Sequence, residues 1–207
     1  IKPSIVGLVR LLRVPLAMFR IEGGYGAQPR WSDVIRKGKM QAGVTRVIEP
    51  AEYAAMSDDE LYSIIQSELS WDDTTLNREY HHKKRAEYLE RVMYVCPSCG
   101  LSKWESHGEI ACCTKCGQRV RYMPDLSLQG VDQPFPFRYI KDWYRYQEQF
   151  VCHLVPDTMT QDVVYEDNVS LSRVILYQHK EKIANNVTVR LWGNRMELKG
   201  EGVDIAL

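Results

Sequence analysis

Apolar residues recur at Ile5, Leu8, Val9 and Leu12 behind Pro3 and Ser4, an i, i+3, i+4, i+7 stripe that predicts a short amphipathic helix. The rhythm then changes. Val14–Ile21 (VPLAMFRI) is a compact apolar run with the pattern of a buried strand, and Gly23-Gly24-Tyr25-Gly26 ends it in a sharp turn that needs residues tolerant of positive φ. Residues 39–48 (KMQAGVTRVI) predict a second strand, closed by Pro50. Ser57 and Glu60 form an S-x-x-E capping box, with Met56 placed to staple onto Leu61, so a helix follows that buries Leu61, Ile64, Ile65 and Leu69. A second helix is expected over Leu76–Met93, with Ala86, Leu89, Val92 and Met93 inward. On it the basic run His81-His82-Lys83-Lys84-Arg85 reads as a solvated face before it reads as a binding site. Farther on, Ile140, Trp143, Tyr144 and Gln147 stand at helical spacing within Phe135–Phe150, a core-packing helix in preference to a base-stacking platform. The last stretch alternates instead. Val163–Tyr165, Val169–Tyr177, Val187–Trp192 and Arg195–Leu198 predict strands, with Gly193-Asn194 as a two-residue hairpin turn.

Composition narrows the function classes. The chain has 207 residues with 27 Lys+Arg against 27 Asp+Glu, so no net field recruits nucleic acid or anionic lipid. No apolar run approaches the roughly 18–20 residues of a membrane span. The nearest, Ile5–Ile21, is broken by Arg10, Arg13 and Arg20, and no small-residue cleavage site follows it as a signal peptide requires. The first residue is Ile, which sets the expectation of a fragment or processed product.

Five of the six cysteines fall between positions 96 and 116, and four of them make two knuckles: Cys96-Pro97-Ser98-Cys99-Gly100 and Cys113-Thr114-Lys115-Cys116-Gly117. Thiolates two residues apart grip one metal, and the glycine after each pair takes the turn that aims backbone N–H groups at sulfur. Two knuckles give tetrahedral four-sulfur coordination, so Cys96, Cys99, Cys113 and Cys116 are the expected ligands of one structural zinc. The 13 residues between Cys99 and Cys113 suit a β-hairpin with His107-Gly108 near its tip. A closed four-thiolate site leaves no position for water or substrate, which argues against catalysis by the metal. A redox role for either C-x-x-C pair is the competing reading. Cys112 breaks the knuckle spacing and is left out, and Cys152, beside His153, reads as a core thiol. Many zinc ribbons bind nucleic acid. Here Lys103, Lys115, Arg119 and Arg121 are offset by Glu105, Glu109 and the formal double negative charge of a tetrathiolate zinc, so a structural insertion is favoured.

One resemblance adds what spacing cannot. VPLAMFRIEGGYG (Val14–Gly26), followed by RWSDVIRKGKMQAGVTRVIEP and MSDDELYSII, resembles the C-terminal half of the glycerolipid acyltransferases, the 1-acyl-glycerol-3-phosphate acyltransferases of phospholipid synthesis. Val14-Pro15-Leu16-Ala17-Met18 stands where that family's fourth block would, and KKRAEYLERVMYVCPSCG looks like bacterial members that carry a zinc ribbon. The resemblance implies an α/β fold: the C-terminal part of an acyltransferase domain over residues 1–75, then a connecting helix (76–95), a zinc ribbon (96–125), and an aromatic helix with a small β-rich domain (126–207). It also implies a lysophospholipid acceptor, an acyl-thioester donor, and a cytoplasmic protein lying peripherally on the inner face of the membrane. The family's H-x4-D motif is absent: none of His81, His82, His107, His153 and His179 has an Asp five residues on. The E-G-T-R phosphate block is absent too, Glu22-Gly23-Gly24 echoing only its first letters. No catalytic residue is therefore assigned, and the substrate-binding residues are unknown. The alternative is a non-catalytic zinc-ribbon module for a nucleic acid or protein partner.

Overall fold

A computed structural model describes residues 2–176 and 178–207, a mixture of helices and several small sheets. The chain divides into two interleaved compact units. One comprises Ile1–Val92, Glu105–Cys112 and Arg119–Ile140; the other Met93–Trp104, Cys113–Gln118 and Lys141–Leu207.

The first unit opens with α1 (Ile5–Leu12), β1 (Leu16–Glu22), α2 (Gly24–Ala27), β2 (Lys37–Gly38), β3 (Gln41–Ile48), α3 (Pro50–Ala54) and α4 (Asp58–Leu69). The expected first helix is present, but rotated: it buries Val6 and Val9 and exposes Leu8 and Leu12. Arg10 sets the rotation, donating to the Tyr53 carbonyl at 2.8 Å, the Met56 carbonyl at 2.6 Å and Asp58 at 2.7 Å. Among the described residues β1 pairs antiparallel with β3 alone, from Leu16↔Ile48 to Glu22↔Gln41, with a bulge after Met18. Met18 and Ile48 enter a core with Val6, Val9, Tyr53, Leu61 and Ile65. The opposite face, made of Ala17, Phe19, Ile21, Ala42, Val44 and Val47, is exposed, so the apolar run read as buried is covered on one side only. The capping box of α4 is formed reciprocally: Ser57 Oγ accepts from the Glu60 N–H, and Glu60 accepts from the Ser57 N–H at 2.8 Å.

The helix expected over Leu76–Met93, the connecting element at 76–95, does not form. The segment holds β4 (Tyr80–His81), a run of turns and one 3-10 turn at Leu89–Arg91. Two of its backbone donors go to distant acceptors: Tyr80 N–H to the Pro124 carbonyl at 2.8 Å and Ala86 N–H to the Gly108 carbonyl at 2.9 Å. Tyr88 adopts φ +73°, which no helix interior tolerates. β4 pairs with β2 because Gly26 and Gly38 make room for the buried Tyr80 ring; a Cβ at either would stand 2.3 Å from that ring. The inward assignment of Ala86, Leu89 and Met93 is right even though the helical period behind it is not. Arg85 breaks the solvated-face reading: it is buried, donating to the Tyr122 carbonyl and to Glu109. Nearby, buried Arg36 lies over Trp31 at 4.9 Å and Tyr122 at 5.0 Å while donating to the Arg85 carbonyl at 2.6 Å and the Gly26 carbonyl at 3.3 Å. The Asp73 carboxylate accepts from the N–H groups of Gly23 (2.7 Å) and Gly26 (2.9 Å), which holds the glycine turn.

After β5 (Val95–Cys96) and β6 (Gly100–Leu101), which pair with each other, come β7 (Trp104–His107), β8 (Ile110–Cys113), β9 (Arg119–Tyr122) and β10 (Leu128–Gly130), in sheet order β10-β9-β8-β7. The expected hairpin is β7–β8, with Gly108 at φ +62° in its turn. The aromatic helix, α5, spans Ile140–Cys152 and not Phe135–Phe150. Pro134 and Pro136 oppose a helix there, and residues 138 and 139 bond instead to Leu128 and Ser127. Trp143 and Gln147 are buried as expected, Tyr144 is exposed, and Cys152, exposed at the helix end, is not a core thiol.

The second unit ends in an antiparallel meander, β11 (Tyr165–Ile175), β12 (His179–Leu191), β13 (Met196–Gly200) and β14 (Val203–Ala206), paired in that order around Ala184, Val187 and Leu198. The strands expected over Val163–Tyr165 and Val169–Tyr177 are largely one strand, whose last expected residue, Tyr177, lies outside the described residues. Gly193-Asn194 makes the hairpin turn, closed by Trp192 N–H to the Arg195 carbonyl at 2.9 Å. Among the described residues no helix is long and apolar enough to cross a membrane.

Candidate metal centre

The four cysteines singled out by spacing converge within the second unit, their Sγ atoms all within 4.8 Å of one another. Cys96 Sγ lies 3.6 Å from Cys116 Sγ, and Cys99 Sγ lies 3.6 Å from Cys113 Sγ. A tetrahedron of thiolates at about 2.3 Å from a metal has edges of about 3.8 Å, so the sulfurs already stand at coordination spacing. Both 3.6 Å contacts join one knuckle to the other, so the four sulfurs face a common centre. Cys112 is outside the group, as the spacing indicated.

Each knuckle is a local consequence of its sequence. Gly100 sits at φ +78° and Gly117 at φ +76°, a region where a side chain would be strained. Those turns bring amides onto sulfur: the Ser98 and Cys99 N–H groups point at Cys96, and the Lys115 and Cys116 N–H groups at Cys113. Backbone bonds between Cys113 and Gln118 (N–H to carbonyl, 2.9 Å) and between Gly117 and Cys113 (2.9 Å) close the second knuckle. Thr114 ties it down, donating through N–H and Oγ1 to the Lys103 carbonyl at 3.0 Å each.

The electrostatics favour a bound cation. Burial pushes the Cys96 thiol far up, its two amide donors recovering only part of that, and burial with the neighbouring sulfurs raises Cys99 as well. Cys113 goes the other way. Burial raises it, but the Ser102 hydroxyl and the two amides outweigh burial and bring it to about 7. One thiolate therefore forms readily, and its charge resists the next. Four sulfurs this close ionise together only around a cation.

The surroundings hold residues that the cysteine spacing did not connect with the site. Gln118 Oε1 accepts from Ser98 Oγ at 2.9 Å and lies 3.3 Å from Cys96 Sγ. α5 braces the first knuckle from behind. Gln147, fully buried, accepts through Oε1 from the N–H groups of Tyr94 (2.7 Å) and Val95 (2.9 Å), and Trp143 Nε1 donates to the Val95 carbonyl at 2.8 Å. Trp143 meets Trp104 edge to face at 4.7 Å, and the Phe150 ring packs over Gly100. A buried glutamine on an otherwise apolar helix face was the available signal, since such a side chain needs partners. Comparisons with protein-family models, with curated proteins and with solved structures each return no match to this chain.

Proposed function

We propose that Cys96, Cys99, Cys113 and Cys116 hold one zinc ion in a structural role, and that the chain is the ribbon-bearing region that follows the catalytic motifs of a glycerolipid acyltransferase. The observation carrying the metal reading is the sulfur spacing, two cross-knuckle contacts of 3.6 Å with amide donors on one sulfur of each pair. Four thiolates in tetrahedral array select zinc or iron, and zinc suits a closed site that has no electron to move. Purified protein is expected to hold one zinc per chain by elemental analysis; iron, or no metal, overturns the assignment.

The acyltransferase reading rests on the resemblance of Val14–Gly26 and the segments after it. With no H-x4-D in its sequence, the chain lacks the general base that this motif supplies to the acceptor hydroxyl, a contribution of about 10²–10⁴-fold. The isolated chain is therefore expected to transfer no acyl group from an acyl thioester to lysophosphatidate. Joined behind an acyltransferase region bearing H-x4-D, it should support transfer that mutation of that His abolishes. Turnover by the 207 residues alone would sink this reading. A nucleic-acid role is less supported: Arg119 is committed to Asp132 through two bonds of 2.6 and 2.7 Å, and Lys115 Nζ to the Cys99 carbonyl at 3.3 Å.

A further inference from the structure

The basic run at 81–85, left over once the expected helix is gone, lines a concavity of about 630 Å³ together with Lys37 and Glu109. The concavity is open to solvent, a surface for one small charged group and not an enclosing pocket. The pairing Lys37↔His81 brings the β2 lysine across to the basic run, so the positive charge is gathered from two separate stretches of chain. The chain as a whole is neutral. Arg85 and Glu109 answer each other at this concavity, and His81 Nε2 meets Glu79 at 2.9 Å. The ammonium groups of Lys37, Lys83 and Lys84 have no hydrogen-bond or ion-pair partner among the described residues. His82 Nδ1 accepts from the Lys84 N–H at 3.0 Å, which fixes the remaining ring proton on Nε2 and leaves that nitrogen as a donor. The frame is anchored: Arg85 is buried on the Tyr122 carbonyl, Ala86 N–H donates to the Gly108 carbonyl, and Gly108 N–H donates to Glu87 at 3.1 Å.

We propose that Lys37, His82, Lys83 and Lys84 form a binding site for a phosphomonoester dianion. Three uncommitted ammonium groups and an imidazole N–H supply donors for terminal phosphate oxygens, and two negative charges on one small group answer the local excess of positive charge better than a single carboxylate would. The site shares no residue with the cysteine centre and does not depend on the acyltransferase reading.

Both a soluble phosphate ester and a lipid headgroup present this chemistry, and the test separates them. Zinc-loaded protein is titrated with glycerol 3-phosphate and with inorganic phosphate by calorimetry. In parallel it is sedimented with vesicles of phosphatidylcholine alone and of phosphatidylcholine containing phosphatidate. Saturable binding of the soluble ester, or selective retention on phosphatidate vesicles, supports the site and names its source. In either case Lys83→Ala and Lys37→Ala should each weaken binding by about tenfold or more, as loss of one charge-assisted contact does. Lys83→Glu with Lys84→Glu should abolish it while circular dichroism and zinc content stay unchanged. Failure of both ligands, or binding indifferent to all three variants, overturns the proposal. Neither result bears on acyl transfer, which is read in a separate assay.

Discussion

Two parts of this molecule are assembled from short, irregular segments, and each closes around a buried positive charge. In the first unit the charge is covalently part of the chain: Arg36, between Trp31 and Tyr122, binds the carbonyls of Gly26 and Arg85. In the second, by our proposal, it arrives from solution as a metal, and four cysteines wait for it at 3.6 Å pair spacing. A guanidinium supplies planar donors to acceptors that already exist, so its site folds with the chain. Thiols must first give up protons, so their site forms at the expense of an ionisation and is conditional on metal and on pH.

Stripping the metal is the hardest blow to that contrast. Chelation, or Cys99→Ser, should remove on the order of 10 kcal/mol of binding-linked stability. Hydrogen exchange should rise sharply across Met93–Trp104 and Cys113–Gln118 while α1, β1, β3 and α4 keep their protection. Uniform loss of protection would mean the two centres are not separable.

Acidity should discriminate next. Cys96 and Cys99 hold their protons above the ordinary thiol range, so near neutral pH metal binding must expel both. Apparent affinity should then fall as pH falls, by at least about 2.7 kcal/mol per pH unit for these two protons alone. Cys113, already near 7, adds less above neutrality. A competition titration with a chromophoric chelator between pH 6 and 8 reads the slope, and a flat profile would contradict it. The guanidinium centre should show no such dependence.

Arg36→Met tests the other side. Two buried carbonyls lose their donor and two rings lose a cation, a cost of about 2–4 kcal/mol. Denaturant unfolding measures it, and zinc content should be unaffected. The smallest effect belongs to Ser57→Ala, a residue of neither centre, which should cost about 0.5–2 kcal/mol through the helix cap alone. A change below about 0.2 kcal/mol would mean the reciprocal bonds with Glu60 contribute nothing measurable.

The contrast also explains what could be read from sequence. Cysteine knuckles, the capping box and Gly193-Asn194 are local codes, in which a few adjacent residues dictate their own geometry, and all three stand where they were expected. The helix assigned to Leu76–Met93 failed because burial there comes from partners far along the chain: Ala86 N–H is taken by the Gly108 carbonyl, and Arg85, which reads as part of a solvated face, is buried on the Tyr122 carbonyl and Glu109. Tyr80 fits only because Gly26 and Gly38 lack a Cβ, a condition that no window around Tyr80 contains. The run Val14–Ile21 has the composition of a fully covered strand, yet composition does not say how many layers are present to cover it. Around the cysteine cluster the four sulfurs were legible, whereas the hydrogen bonds of Gln118 and Gln147 were not, because a hydrogen-bond partner is identified by what it faces.

The Trp104–Trp143 pair gives this centre an optical handle. Both indoles are buried, they meet edge to face at 4.7 Å, and Trp143 is bonded to the carbonyl of Val95, the residue before Cys96. Coupled transitions of two rings held in fixed orientation produce a near-ultraviolet circular dichroism band, which vanishes when their relative geometry loosens. Because one ring is tethered beside Cys96, that band should report occupancy of the proposed metal site directly, with no label and no enzymatic assay.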